Sequence, residues 1–264
     1  MITLKNDSQI EKMRVAGKML YDVLCELREQ IKPGVTTLHL DAMAHKLITK
    51  MGAKPTFLGV EGLYSPYPYT LCCSADDVIV HGFPNDKPLE EGQILSVDCG
   101  LVYQGWQSDS AFTAGVGQID DAKRQLIEVT EQCFWHAFKA ARVGNRLGDI
   151  ASAVQTHAEA HGYGVIRDMC GHGIGREMHE DPSVPNFGHA GHGLKLRNGM
   201  TIAIEPMIAM GDWHGKTDPD GWGYRTVDHS VCSHYEHTIA ILDDEPQVLS
   251  MPEAEVKKAL EREG

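Results

Sequence analysis

The sequence predicts a pseudo-symmetric α+β domain with one continuous sheet. Two pairs of amphipathic helices recur about 110 positions apart, strand-like runs follow each pair, and no low-complexity linker separates them. A chain of 264 residues can form one large domain or two small ones. The recurrence favours a single domain over residues 1–264 with two related halves, at about 8–115 and 120–242, although chance similarity of two helix pairs would look the same.

Periodicity and terminal signals predict five helices. Apolar residues of the first helix fall at steps of three and four, and Ser8 with Glu11 matches a capping box. Pro33 and Gly34 end this first helix, and Gly144 takes the corresponding place in the second pair. The predicted helices span residues 8–30, 38–51, 121–141, 147–161 and 253–261.

Apolar runs between the helices predict the strands. They span residues 70–80, 94–103, 106–114, 164–168, 200–209, 223–226 and 234–242. Residues 184–197 are polar and rich in glycine and histidine, which predicts a loop. Pro206 should stop the run at 200–209 from pairing as a central strand beyond that point.

Composition restricts the classes of function. A hydrophobic fraction of 42% and a charged fraction of 23% are ordinary for a globular protein with a sizeable core. The net charge of −13 disfavours a sequence-independent nucleic-acid binder, which needs a basic face, and no apolar run reaches the roughly 18 residues of a membrane span. Seven cysteines without a C-x-x-C pair, and no signal peptide, predict a cytoplasmic protein.

Two aspartates lie inside a predicted hairpin. If residues 104–105 form a two-residue turn, Gly100 pairs with Asp109. Asp98 and Asp109 are then diagonal neighbours on one face, with Cβ atoms no more than about 7–8 Å apart. Carboxylates this close repel one another, and a cation between them removes the repulsion. A solvated hairpin face is the alternative, but aspartate is depleted in strands, so a metal site is favoured.

Two glutamates and a histidine complete a candidate ligand set. Glu205 and Glu236 lie in or at the end of apolar strands, where an unpaired charge is costly, although a wet strand face would explain either one alone. His172 lies in a loop with three glycines in five residues, which suits close backbone approach to a ligand or a plain surface turn. Four carboxylates match the charge of two divalent ions, and oxygen donors with one imidazole suit Mn, Fe, Co or Zn. Two metals with shared carboxylates would activate a bridging water, which is a hydrolase design.

The motifs around these residues resemble those of type I methionine aminopeptidases, and the resemblance extends from Ile10 to about Asp243. The motifs are His81-Gly82 followed by Pro84, Asp98, Ser108-Asp109, Gly171 to Arg176, His179-Glu180, Ile204 to Met207 and Tyr235 to Thr238. The resemblance implies the pita-bread fold, in which a pseudo-two-fold antiparallel sheet is covered by two helix pairs and a C-terminal helix. It implies a metallo-exopeptidase that removes the N-terminal methionine from nascent proteins and peptides with a small second residue, by attack of a water bridging two divalent metals.

The resemblance also implies residue roles. Asp109 and Glu236 would bridge the metals, and Glu205 would also shuttle the proton of the attacking water. His179 would hydrogen-bond the substrate carbonyl or scissile amide, and His81 would hold the substrate and the tetrahedral intermediate. The implied metal ligands are Asp98, Asp109, His172, Glu205 and Glu236, and the implied side-chain pocket is Tyr64, Tyr67, Cys72, Met178 and Trp222. The other histidines, His234 among them, are expected to be structural or surface residues.

Other classes remain as alternatives. A proline-specific aminopeptidase or dipeptidase of the same fold resembles this ligand set, but such proteins usually carry an extra N-terminal domain. A non-catalytic binding paralogue is the other alternative, although relatives of that kind are expected to lose ligands and this chain keeps all five. The expected partners are N-terminal peptides of nascent proteins and the ribosome, with no nucleic-acid target and no membrane, and the chain is expected to be a monomer.

Overall fold

The computed structural model describes residues 2–62 and 64–262. Within these ranges, two pairs of helices are each followed by a run of strands, which is an α+β arrangement, as the sequence predicts. The helices are α1 (Asp7–Gln30), α2 (Thr37–Lys50), α3 (Asp121–Ala140), α4 (Leu147–Ala160) and α5 (Glu253–Arg262). The strands are β1 (Lys54–Pro55), β2 (Leu71–Ala75), β3 (Val78–Val80), β4 (Ile94–Tyr103), β5 (Trp106–Gly115), β6 (Gly164–Val165), β7 (Gly171–Gly173), β8 (Glu180–Val184), β9 (Met200–Ile204), β10 (Met207–Ala209), β11 (Gly215–Thr217), β12 (Tyr224–Thr226), β13 (Cys232–His234), β14 (Glu236–Ile241) and β15 (Gln247–Val248).

The N-cap of helix α1 lies two residues before the predicted one, so the assignment of Ser8 to that role is wrong. Asn6 is the N-cap: its side chain accepts a hydrogen bond from the backbone N–H of Gln9 at 3.0 Å. The Gln9 side chain accepts in return from the Asn6 backbone N–H at 3.0 Å, which completes a capping box. Two overlapping capping patterns were available, and the amide pair at 6 and 9 starts the helix earlier.

A large antiparallel sheet organises the molecule. Its strand order is β1-β4-β5-β14-β9-β7-β8, with β2 also on β4 and β15 also on β14. The β4–β5 hairpin has the predicted register, because Tyr103 pairs with Trp106 and Gly100 with Asp109. Positive φ angles of 50° at Gln104 and 77° at Gly105 give the two-residue turn the backbone twist that hairpins favour.

Several predicted strands are interrupted or shorter than predicted. The run at 70–80 divides at Asp76, whose φ is 50°, and the run at 200–209 divides after Ile204. The run at 234–242 is two strands, since β13 pairs with β10 whereas β14 pairs with β5 and β9. His172, predicted in a loop, lies in the short strand β7, and the run at 164–168 keeps only its first two residues as β6.

The main hydrophobic core lies between the helices and the large sheet. Leu20 of α1, Phe134 of α3 and Ile202 of β9 belong to one buried cluster. The two helix pairs have similar lengths, 24 and 14 residues in the first and 20 and 14 in the second. The descent of the two halves from one repeat stays a prediction. Among the described residues, no helix is long and apolar enough to cross a membrane.

Candidate metal centre

Strand pairing brings the four acidic residues to one place. Ala111 of β5 pairs with Asp98 of β4 on one side and with Glu236 of β14 on the other. Residues directly opposite in neighbouring strands share a face, so both carboxylates project from the same side as Ala111. Asp109, two residues before Ala111, lies on that face too. Glu205 follows the last residue of β9, Ile204, which pairs with His237 beside Glu236.

The donor atoms form two triplets that share one residue. Single donor atoms of Asp109, His172 and Glu236 lie within 4.8 Å of one another, and so do those of Asp98, His234 and Glu236. His172 Nε2 lies 3.7 Å from Asp109 Oδ2 and 3.8 Å from Glu205 Oε1. A shared carboxylate between two triplets is the arrangement of a bridged two-metal centre.

Four buried side-chain donor atoms at the centre have no hydrogen-bond partner in the described structure. They are Asp98 Oδ1, Asp109 Oδ1, His234 Nε2 and Glu236 Oε1. An unsatisfied buried polar atom costs about 1–3 kcal/mol, and more when it is charged. Their convergence at one point indicates that cations complete the site, and carboxylate with imidazole donors fits divalent transition metals. The residues present therefore fit two divalent metal ions.

The pKa shifts of the donor side chains without metal agree with a site for cations. Burial, followed by the charge of Asp109, raises the pKa of Asp98 and of Glu236 well above the usual range. Burial raises the pKa of Glu205 to about 8. Burial alone would lower the pKa of His172, but hydrogen bonding to Asp109 and the charge of Glu205 outweigh it and raise that pKa to about 9. Because the ligands must be deprotonated, metal binding at neutral pH should release protons.

Hydrogen bonds orient the ligands. Nδ1 of His172 lies 2.9 Å from the carbonyl oxygen of Gly173, and donation to it leaves Nε2 free to bind metal. The backbone of Asp109 is held by Thr238, whose Oγ1 accepts from the Asp109 N–H at 3.1 Å and lies 2.9 Å from the Asp109 carbonyl oxygen. These contacts fix both side chains on the sheet.

Two further histidines lie beside the donors. The rings of His179 and His172 meet edge to face with centroids 4.4 Å apart. His81 follows β3 with a φ of 61°, a conformation that costs a residue other than glycine roughly 1–2 kcal/mol. Burial lowers the pKa of His81 to about 4 and also lowers the pKa of His179, so both rings are neutral at pH 7 and able to donate or accept a hydrogen bond.

The donors lie in a cavity of about 490 Å³ that also receives most of the predicted pocket. Its wall includes His81, His179, Tyr67, Cys72, Met178 and Trp222, together with Phe57 and Val60. Tyr64 does not reach the cavity: it is 78% exposed, and its ring covers Gly221 on the outside of the molecule. Proximity in the sequence to Tyr67 does not fix the direction of the Tyr64 side chain, because both tyrosines lie outside helices and strands, where no period sets which side chains share a face.

His234 is a site residue that the sequence interpretation missed. Its Nε2 lies 3.6 Å from Glu236 Oε2 and 3.8 Å from Glu205 Oε2. The signal was available, since residues two apart in a strand project to the same face and Glu236 was already a candidate.

Comparison with known proteins gives one consistent result. A model of "Metallopeptidase family M24" matches residues 11–243. A methionine aminopeptidase of Clostridium perfringens is 47% identical over 95% of this chain and 99% of its own length. The crystal structure of a methionine aminopeptidase from Rickettsia prowazekii superposes with a TM-score of 0.92 at 37% identity, covering 95% of this chain and all of that one. These findings confirm the resemblance and the fold predicted from the sequence.

A more distant structure separates fold from function. The Xaa-Pro dipeptidase of Bacillus anthracis has a TM-score of 0.74 at 21% identity, and the match covers 94% of this chain and 62% of that one. At that identity the likeness concerns the fold alone. About a third of the dipeptidase has no counterpart here.

Proposed function

Because the chain belongs to metallopeptidase family M24, we propose that it is a metal-dependent aminopeptidase that removes N-terminal methionine from nascent proteins and peptides with a small second residue. One observation carries this proposal: two donor triplets share Glu236 at the cavity, and four of their residues have a buried donor atom without a hydrogen-bond partner among the described residues. The identity to methionine aminopeptidases over nearly the whole chain supports the substrate.

Asp98, Asp109, His172, Glu205 and Glu236 would hold two divalent metal ions, with Asp109 and Glu236 shared between them. When bound, the ions lower the pKa of a water held between them and stabilise charge that develops on the substrate carbonyl oxygen. The protein fixes this chemistry through the register of β4, β5 and β14, which sets three of the carboxylates on a rigid sheet.

Three side chains move protons or hold the substrate. Glu205 would take a proton from the attacking water and deliver it to the departing amine, which is the role that the resemblance implies for it. The neutral ring of His179 would donate a hydrogen bond to the substrate carbonyl or scissile amide. His81, also in the cavity wall, would hold the substrate and the tetrahedral intermediate.

The side-chain pocket suits methionine. Tyr67 stacks edge to face on Trp222 with ring centroids 5.0 Å apart, and Met178, Cys72 and Phe57 complete the apolar wall. Sulfur–aromatic contacts add roughly 0.3–1.5 kcal/mol for a thioether. Glu61, an acidic side chain near this segment, is exposed and does not line the cavity, so no carboxylate of that segment would pair with a lysine substrate.

The alternatives have less support. A proline-specific aminopeptidase or dipeptidase shares the fold, but the metal-binding side chains do not distinguish it and the dipeptidase match is only 21% identical. A non-catalytic paralogue would not need four buried donor atoms without hydrogen-bond partners held together at a cost in stability. We also propose that the protein acts in the cytoplasm as a monomer, since one chain supplies every donor, and that it meets its substrates at the ribosome.

The test replaces the shared carboxylate. Glu236→Ala should leave both ions poorly held and lower the turnover of a Met-Ala-Ser peptide by orders of magnitude. Bound metal is measured on dialysed protein alongside free methionine release, with Glu61→Ala as the control for loss of an acidic side chain. Near-wild-type turnover by metal-supplemented Glu236→Ala would refute the assignment.

A further inference from the structure

His234 ends β13 at the point where the chain passes to Glu236 and enters β14. Only 1% of the residue is exposed, and its Nε2 has no hydrogen-bond partner. The backbone is fixed on both sides, because the N–H donates to Thr113 Oγ1 at 3.1 Å and the carbonyl oxygen accepts from the same hydroxyl at 2.8 Å. The ring is therefore held against the centre and is not free to swing out to solvent.

We propose that His234 is an additional metal ligand, which binds through Nε2 the ion held by Asp98 and Glu236. The proposal rests on the two-metal centre of the proposed function and adds a second imidazole to it. Each ion would then have one imidazole nitrogen, from His172 on one side and from His234 on the other. His234 lies just before the Tyr235 to Thr238 motif and is not one of the five ligands that the resemblance implies.

The distances favour a ligand over a hydrogen bond. His234 Nε2 is 3.6 Å from Glu236 Oε2 and 3.8 Å from Glu205 Oε2, beyond the usual 2.7–3.2 Å of an N–H···O bond. Two donors at about 2.1 Å from one ion lie roughly 3.0–3.4 Å apart, so a small contraction around a cation brings these atoms into place. His172, a ligand by resemblance, has the same spacing, with Nε2 at 3.7 and 3.8 Å from its two carboxylates.

A nearby histidine shows what a structural imidazole looks like in this sheet. His237 is also buried, but Nδ1 lies 3.0 Å from Ser110 Oγ and 2.8 Å from Ser250 Oγ. Its Nε2 lies 3.1 Å from the hydroxyl of Tyr235, so both ring nitrogens have partners. His234 Nε2 has none among the described residues, and a buried ring nitrogen without a partner beside two carboxylates is explained by a cation.

Loss of the His234 imidazole should therefore lower the affinity of the protein for one of the two metal ions only. Loss of a group that merely orients a ligand typically costs about 10–100-fold in metal affinity, so loss of a ligand should cost at least about 10-fold. His234→Gln keeps a hydrogen-bond donor of similar reach but is a poor substitute for an imidazole nitrogen. If His234 only donated a hydrogen bond to Glu205 or Glu236, glutamine would largely preserve metal binding.

The experiment counts metal-bound imidazoles. Metal-free protein is loaded with two equivalents of Co²⁺, and proton NMR is used to observe the exchangeable ring N–H resonances that the paramagnetic ion shifts strongly when it binds the same ring. Wild type should show two such resonances and His234→Gln one, whereas the control His237→Gln should keep both. Calorimetric titration with Co²⁺ should show one site weakened at least about 10-fold in His234→Gln and the other unchanged.

The possible results distinguish failure of the ligand assignment from failure of the two-metal centre. One strongly shifted N–H in wild type, or two in His234→Gln, would overturn the role of His234 and leave the centre intact. Failure of the wild type to bind Co²⁺ would overturn the centre and the proposal together. The wild-type count needs no variant, and circular dichroism of the metal-free variants checks that they fold.

Discussion

Replacement of Glu236 by glutamine should make the protein more stable than wild type without metal and less stable than wild type with metal bound. Burial and the charges of Asp109 and Glu205 raise the pKa of Glu236 well above its ordinary 4.5. Above pH 4.5 the folded protein therefore keeps a proton that the unfolded chain has lost, and the free energy of unfolding falls as pH rises. The slope for one proton is about 1.4 kcal/mol per pH unit until the native pKa is reached.

Glu236→Gln removes this penalty, because the amide cannot ionise and has nearly the same shape. In chelator the variant should be at least as stable as wild type at pH 6. Its advantage should grow by up to about 3 kcal/mol between pH 6 and pH 8, which is two units of that slope. With metal at 100 times its dissociation constant, wild type gains about 2.7 kcal/mol per ion, whereas the variant lacks the shared carboxylate and gains little.

Urea unfolding followed by tryptophan fluorescence measures these differences. The four conditions are pH 6 and pH 8, each with chelator and with Mn²⁺. The expected pattern is a variant that is more stable than wild type in chelator at pH 8 and less stable in Mn²⁺. A variant that is less stable than wild type in chelator at pH 8, or one that Mn²⁺ stabilises as much as wild type, would refute the electrostatic account.

Three other predictions concern individual side chains. His179→Ala should keep both metals but lose about 10²–10³ in kcat, as expected for a donor to developing charge; loss of bound metal would instead make His179 a ligand. Cys99→Ala should bind metal normally, since Cys99 is buried on the face opposite Asp98, and a folded but metal-free variant would contradict this. Met178→Phe should raise the ratio of kcat/KM for Met-Ala over Leu-Ala peptides, because a rigid ring adapts less than an unbranched chain; an unchanged ratio would show that Met178 does not set this preference.

The register of the hairpin could be predicted because it depends on local chemistry. A two-residue turn at Gln104 and Gly105 leaves one pairing for the strands, and that pairing places Asp98 and Asp109 on one face. The same reasoning failed at Ser8, where two capping patterns overlap and the difference between them is about 1 kcal/mol or less. Strand interruptions after Asp76 and Ile204 depend on where the chain must leave one sheet for another, which is a tertiary constraint.

Site residues could be predicted where they lie in motifs and strands. They could not be predicted where the direction of the side chain had to be known. Asp98, Asp109 and Glu236 lie in strands, where a period of two sets the face of each side chain, and Glu205 directly follows β9. Tyr64 belongs to a loop, where no period applies, and it points outward. The spacing of two residues from Glu236 indicated the face of His234, but the unpaired Nε2 and its distances to Glu205 and Glu236 come from the structure alone.

Product analysis on two peptides tests the central claim most directly. Metal-free protein is incubated with Met-Ala-Ser or with Ala-Pro-Ala, with and without Mn²⁺ or Co²⁺, and the released amino acids are identified by mass spectrometry. A methionine aminopeptidase should release free methionine from Met-Ala-Ser only when metal is present and leave Ala-Pro-Ala intact. Faster cleavage of Ala-Pro-Ala, or no methionine release with either metal, would contradict the proposed function.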